Sequence, residues 1–122
     1  MIDPNFIILY VDNPLTSADF YAALLGKSPI EASPTFAMFA LDSGAVLGLW
    51  SKHTVKPSTG TIGGGCEIAF SVKDRESVRT IHAEWKENAL PILQPLTDMD
   101  FGYTFVATDP DGHRLRVFAV SS

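Results

Sequence analysis

Cysteine is almost absent from this chain: of its 122 residues only Cys66 carries a thiol. One thiol cannot build an internal disulfide framework and suits a reducing compartment, so a cytoplasmic location is expected. Basic residues are also few, 9 against 14 acidic, for a formal net charge of −5. That balance argues against a nucleic-acid partner, because backbone phosphates are gripped by clustered Lys and Arg. No apolar run approaches the ~20 residues of a spanning helix, so no membrane role is expected. The start, MIDPNFIILYVDNP, has neither a basic leader nor a small-residue cleavage site and is not read as a signal peptide. Low-complexity tracts and charge blocks are missing as well. What is present is apolar material, 46% of the chain. A chain near this size buries about two thirds of its unfolded surface, so neither metal nor disulfide is needed for stability. The expectation is one domain spanning 1–122.

The least regular stretch is 52–65, KHTVKPSTGTIGGG, whose Gly, Ser, Thr and Pro mark a hinge. It separates two similar modules, about 1–55 and 66–122. In the first, NFIILYV (5–11) reads as a strand ending at Asp12-Asn13-Pro14, followed by a helix over 16–25 capped by Thr16 or Ser17 and stopped at Gly26. Strands at 35–41 and 45–51 flank Asp42-Ser43-Gly44 as a hairpin. In the second, EIAFSV (67–72) is a strand. Asp74 caps a helix over about 75–88 with Val78, Ile81 and Trp85 on one face, and strands follow at about 92–95, 103–108 and 114–120. The last turn is Asp109-Pro110-Asp111-Gly112. The halves align directly. Ile8-Leu9-Tyr10-Val11 falls on Ala69-Phe70-Ser71-Val72, and Gly44, Leu47 and Leu49 fall on Gly112, Leu115 and Val117. Identity between the halves is low, and the second carries extra residues between helix and hairpin.

With its βαβββ repeat, the helix segment DFYAALLG and the hairpin DPDGHRLRVF, the chain resembles the vicinal oxygen chelate superfamily, which holds glyoxalase I, extradiol dioxygenases and bleomycin-resistance proteins. The resemblance implies an α+β fold in which two βαβββ modules curl into a half-barrel around a cavity. Within that superfamily, LGLWS (47–51) and PLTDMDFGYTFVATDPDGHRLRVF (95–118) resemble the resistance proteins that bind the phenazine antibiotic griseoluteate. Those proteins sequester the drug, and the aromatic residue ending their third strand corresponds to Trp50. The resemblance further implies a homodimer, with the modules pairing either within or between chains.

The enzymes of the superfamily take metal ligands from four positions, which match Phe6, Gly48, Glu67 and Arg116. Divalent metals need N and O donors. Phe6 and Gly48 offer none, and Arg116 carries a permanent positive charge. Glu67 alone could ligate, and one carboxylate does not hold a catalytic metal. His53, His82 and His113 form no HxH, HxxxH or HExxH arrangement and read as surface or turn residues. Nor is there a GxSxG elbow, a Walker motif or a strand-associated GxGxxG, and Cys66 at a strand start reads as structural or incidental. No metal, no cofactor and no catalytic residue are therefore expected.

Strand alternation lists the cavity wall that this match implies. If position 6 points inward, so do Ile8 and Tyr10, while Ile7, Leu9 and Val11 pack on the helix. Val46, Gly48 and Trp50, then Glu67, Ala69 and Ser71, then Arg116 and Phe118 follow on the other strands. Mostly apolar and aromatic surface with a few polar groups is the composition of a small-molecule pocket. Gly48 and Ala69 leave room beside large rings. Trp50 is either a stacking surface or core, as Trp85 is. Arg116 and Glu67 either hold a ligand or pair with each other across the sheet. The ligand-binding set is thus Trp50, Arg116, Glu67, Phe6, Tyr10, Gly48 and Phe118. The leading expectation is a metal-free binder that sequesters a planar aromatic antibiotic and confers resistance. A metal-dependent glyoxalase, lyase or extradiol dioxygenase is the alternative. A bleomycin-type binder of a cationic drug is the third, favoured by the acidic charge and opposed by Arg116.

Overall fold

The computed structural model of the chain describes residues 2–60, 63 and 65–121, so Thr61, Ile62 and Gly64 of the expected hinge lie outside the described residues. Two compact units, Met1–Gly63 and Gly64–Ser122, divide the chain. Each is one four-stranded sheet with one helix, which makes the fold α+β.

The first unit runs β1 (Phe6–Val11), α1 (Pro14–Leu25), β2 (Glu31–Ala32), β3 (Phe36–Ala40) and β4 (Val46–Ser51), in sheet order β1-β4-β3-β2. β1 runs parallel to β4, and β3 and β4 form the expected antiparallel hairpin. Helix α1 begins two residues before the expected start at 16. Its cap is Asn13, not Thr16 or Ser17, because the Asn13 Oδ1 accepts from the N–H groups of Leu15 and Thr16. Pro14 fits the first helical position, where no N–H is required. Gly26 ends the helix in the left-handed conformation with φ 65°. Pro14, Ser17, Ala18 and Tyr21 form its buried face, and α1 packs on β3 and β4. Under it lie Leu9, Val11, Ala37, Phe39, Leu47 and Leu49, all buried. Ile7 shares their side of β1 yet remains 48% exposed, so the expected packing of this residue on the helix does not occur. Directly after β4 the chain stays tied to the strand end. Val55 is buried, and its N–H donates to the Ser51 carbonyl.

The second unit repeats the order with β5 (Glu67–Ser71), α2 (Arg75–Glu87), β6 (Ile92–Met99), β7 (Gly102–Thr108) and β8 (Arg114–Val120), in sheet order β5-β8-β7-β6. Asp74 caps α2 by accepting from the Ser77 N–H and hydroxyl, which hold its carboxyl below the usual range. The helix buries Val78 and Trp85, and the Trp85 indole meets Phe70 and Phe105 edge to face. β6 is longer than expected, continuing past Pro95 to Met99. It is an outer strand whose pairing with β7 shifts register between Ile92 and Thr97, where a residue without an N–H is tolerated. Gly102 opens β7 with φ 152°, and a β-carbon there would lie 2.0 Å from the Ala119 carbonyl oxygen.

The internal alignment appears in the strand registers. Ile8 faces Gly48 across the parallel pair of the first sheet, and Ala69 faces Arg116 in the second. These are the positions that the alignment of the two halves equates.

Candidate functional site

Each sheet has a helix on one face only within its own unit, and the candidate residues stand on the other. In the first unit the strand partners Phe6 and Val46, Ile8 and Gly48, Tyr10 and Trp50 share that open face. The pairing of β3 with β4 adds Met38 beside Gly48 and Phe36 beside Trp50. Phe6, Tyr10, Gly48 and Trp50 of the sequence-derived set are thus brought together. Phe36 and Met38 belong with them, although the sequence reading left them out.

The space above Gly48 is not empty. A β-carbon on this residue would lie 2.9 Å from Cε1 of Phe6 and 3.0 Å from Cζ of Phe36. The expected room beside Gly48 is therefore taken by two phenyl rings leaning across it. Phe36 also meets Trp50 edge to face, with centroids 6.0 Å apart. The result is a continuous aromatic surface whose outer members stay accessible: Phe6 is 43% exposed and Trp50 is half-buried. None of its members is charged.

On the open face of the second sheet the equivalent diagonal is polar. Glu67 stands where Phe6 stands, Arg116 where Gly48 stands, and the two bind each other. The Arg116 Nε donates to Glu67 Oε1 at 2.7 Å and Nη2 donates to Oε2 at 3.0 Å. Nη1 donates to Gln94 Oε1 at 3.2 Å and to Thr104 Oγ1 at 3.3 Å. The Thr104 hydroxyl in turn donates to the Val117 carbonyl at 2.8 Å. Every guanidinium nitrogen is engaged, so the plane of the group is fixed by four oxygen atoms. The Arg116 side chain is 17% exposed and that of Glu67 30%. Hydrogen bonding to the guanidinium lowers the Glu67 pKa, and the carboxylate raises that of Arg116. Both stay charged, and together they are neutral. The mutual pairing that the sequence reading offered is present in the fold.

Phe118 lies beside this pair, with Ser71 and Thr104 opposite it on the neighbouring strands. Its ring meets Phe101 edge to face at 5.9 Å, and the Phe101 ring centroid lies 5.8 Å from the Arg116 guanidinium carbon. Phe101, Gln94 and Thr104 were not foreseen. Gln94 and Thr104 follow from strand alternation once β6 and β7 are in register, whereas Phe101 sits in the turn between them, where no periodicity reports direction.

The donor set at the four matched positions does not fit a divalent metal. Phe6 and Gly48 carry no side-chain donor, Arg116 is a cation, and the Glu67 carboxylate is occupied in both oxygens by Arg116. Among the described residues, no three His, Cys, Asp or Glu side chains converge as a metal site. The histidines have other roles. The exposed His53 Nε2 lies 2.8 Å from Asp12, and His82 packs edge to face on Phe105 at 5.0 Å. His113 is a turn residue but not a surface one. It is buried, and its Nδ1 lies 2.7 Å from Asp109 Oδ2, while its N–H donates to Asp109 Oδ1. That pair clamps the DPDGH turn leading into β8, the strand that presents Arg116 and Phe118. Cys66 is exposed. Among the described residues, no helix is long and apolar enough to cross a membrane.

A family model described as the Glyoxalase/Bleomycin resistance protein/Dioxygenase superfamily matches residues 4–117. The phenazine antibiotic resistance protein EhpR of Enterobacter agglomerans is 32% identical over 120 residues, spanning 95% of this chain and 91% of its own. The solution NMR structure of protein ATC0852 from Agrobacterium tumefaciens shares 52% of residues over the full length of both chains, with a TM-score of 0.92. A glyoxalase-related enzyme from Fulvimarina pelagi, 21% identical, covers 98% of this chain and 88% of its own, with a TM-score of 0.84. At that identity the likeness bears on the fold alone.

Proposed function

We propose, for a chain that belongs to the Glyoxalase/Bleomycin resistance protein/Dioxygenase superfamily, that it binds a planar aromatic compound of the phenazine kind and holds it without transforming it. The observation that carries this reading is the uncharged aromatic face around Trp50, in which Phe36 and Phe6 fill the space over Gly48 and leave the indole accessible. Such a face desolvates a flat ring and offers ring contacts of about 0.5–1.5 kcal/mol each beyond burial. The rings over Gly48 carry no titratable group; the Tyr10 phenol beside Trp50 and the exposed Glu31 opposite Met38 are the titratable groups that the strand registers bring to this face. The matched metal positions supply one carboxylate, already bound to Arg116, and so favour a binder over the glyoxalases and dioxygenases of the same superfamily. A relative named for phenazine antibiotic resistance, similar over nearly the whole chain, supports the same ligand class. A second copy of the chain is part of the proposal, since β1 ends its sheet with an uncharged strand, FIILYV.

Titration of metal-stripped protein with phenazine, followed by calorimetry, tests the reading. Saturable binding is expected, weakened by Trp50→Ala by about 1–3 kcal/mol, the scale of a buried aromatic anchor. Absence of binding, or affinity indifferent to Trp50, overturns it.

A further inference from the structure

On the open face of the first sheet Trp50 stands between two aromatic neighbours, and they treat it differently. On β3, Phe36 meets the indole edge to face with centroids 6.0 Å apart. On β1, Tyr10 is the register partner of Trp50, one strand spacing of about 4.8 Å away. Leu9 and Val11 on either side of it are buried under α1, so alternation turns Tyr10 to the open face, where it is half-buried. Among the described residues its ring makes no contact with another ring, and its hydroxyl makes no hydrogen bond. The polar side chains around it are engaged or distant. The Ser33 and Thr35 hydroxyls lie 3.4 Å apart, and that of Ser33 donates to the Phe36 carbonyl. Asp12, two residues along the chain, is held by His53 and Lys52. Glu31 is exposed on β2, which β3 separates from β4. The phenol is thus the hydrogen-bonding side-chain group nearest the indole in register, and it is free.

A half-buried phenol without a protein partner is satisfied by water. A flat ring laid on the indole covers the neighbouring strand position as well and removes that water. The hydroxyl then needs an acceptor from the ligand, and without one the complex forfeits a hydrogen bond. A hydrocarbon ring has no acceptor to give, whereas a ring nitrogen or a ring-borne oxygen has one in the plane of the molecule. Sites that hydrogen-bond a ligand reject its apolar analogue far more strongly than sites that count apolar contacts alone. We propose that Tyr10 is a specificity-determining residue of the aromatic face: its phenol donates to an acceptor at the edge of the bound ring and so selects heteroaromatic ligands over hydrocarbons of the same shape. The inference rests on the aromatic-binding reading above and adds the group on the ligand that the protein reads. Trp50 and Tyr10 then divide the work. The indole offers contact to any flat ring, and the phenol distinguishes one ring from another.

The test compares phenazine with anthracene, three fused rings of the same outline in which two C–H groups replace the two nitrogens. Trace amounts of each are dialysed to equilibrium against wild type, Tyr10→Phe, Tyr10→Leu and Trp50→Ala, and the distribution of the compound gives the dissociation constants. Tyr10→Phe should shift the ratio of the two constants toward anthracene by about tenfold or more, the scale of one lost hydrogen bond in a covered site. Trp50→Ala should weaken both probes and leave their ratio within about twofold of wild type, because ring contact does not depend on the acceptor. Tyr10→Leu removes the ring together with the hydroxyl and should shift the ratio in the same direction, so it decides the matter if Tyr10→Phe fails to fold. A ratio that loss of the hydroxyl leaves unchanged overturns the inference, and so does a wild type that binds anthracene and not phenazine. If wild type binds neither probe, the aromatic-binding reading falls and takes this one with it. Phenazine binding that depends on Trp50, with a ratio indifferent to Tyr10, defeats only the present inference.

Discussion

Replacing each tryptophan by alanine separates the interior of the second unit from the open face of the first. Trp85 is 8% exposed and meets Phe70 and Phe105 edge to face at 5.6 and 5.5 Å. An aromatic side chain of this kind buries about 150–250 Å², which at about 25 cal/mol per Å² gives roughly 4–6 kcal/mol of transfer energy. Alanine retains part of that, relaxation recovers a little more, and the expected loss is about 4 kcal/mol, within the usual range for such truncations. With an unfolding entropy of about 2.1 cal/mol/K per residue, that loss lowers the melting temperature by about 15 °C. Trp50 is half-buried and has one edge-to-face partner, Phe36, at 6.0 Å. Its truncation should cost only about 1–2 kcal/mol, or about 4–8 °C. Urea unfolding followed by far-ultraviolet circular dichroism gives both values on the same scale. Equal losses, or a larger loss at Trp50, would show that the indole on the open face is a packing residue, and the division between core and binding surface would be wrong.

Backbone conformation and pH supply further checks. Gly102→Ala should destabilise by about 3 kcal/mol or more, because the new β-carbon would sit 2.0 Å from the Ala119 carbonyl oxygen; an unchanged urea midpoint would refute the β7–β8 geometry. Ala89 follows α2 with φ 64°, a conformation that costs an L-residue about 1–2 kcal/mol, so Ala89→Gly should stabilise by about 0.5–1 kcal/mol after the added chain entropy, read in the same assay. Burial against Phe105, followed by the nearby Lys86 charge, lowers the pKa of His82 from its ordinary 6.5. The unfolded chain then takes up this proton first, so stability is full above that value and declines as pH falls below it. His82→Phe should flatten the decline between pH 7 and 5, and an unaltered slope would remove His82 as its source.

Much of the fold was legible because its signals are local. Asp74 before the α2 stripe, Gly26 after α1, and the β-branched and aromatic run FIILYV ending at a turn each specify an element without knowledge of its neighbours. The start of α1 was misplaced because Thr16 and Ser17 are good caps in isolation, whereas Asn13 with Pro14 behind it satisfies the free N–H groups earlier. β2 spans two residues and has no periodicity to read, and β6 runs through a proline that normally signals a strand's end. At the candidate site strand alternation told which residues share a face, and the contacts upon that face were not legible. Nothing in the order of residues says that the Phe6 and Phe36 rings lean over Gly48, or that Gln94 and Thr104 join Glu67 around the Arg116 guanidinium. Those outcomes depend on diagonal neighbours across strands distant in the chain.

The central claim is sequestration without chemistry, and a mass balance tests it most directly. Protein freed of metal is saturated with phenazine, incubated for a day at 25 °C with and without added Mn²⁺, Fe²⁺ or Zn²⁺, then denatured, and the released compound is measured by liquid chromatography and mass spectrometry. The account predicts full recovery of unaltered phenazine in every sample, with an affinity that the metals do not change. Conversion of the ring to a product by catalytic amounts of protein, or binding that appears only when a metal is supplied, would contradict it.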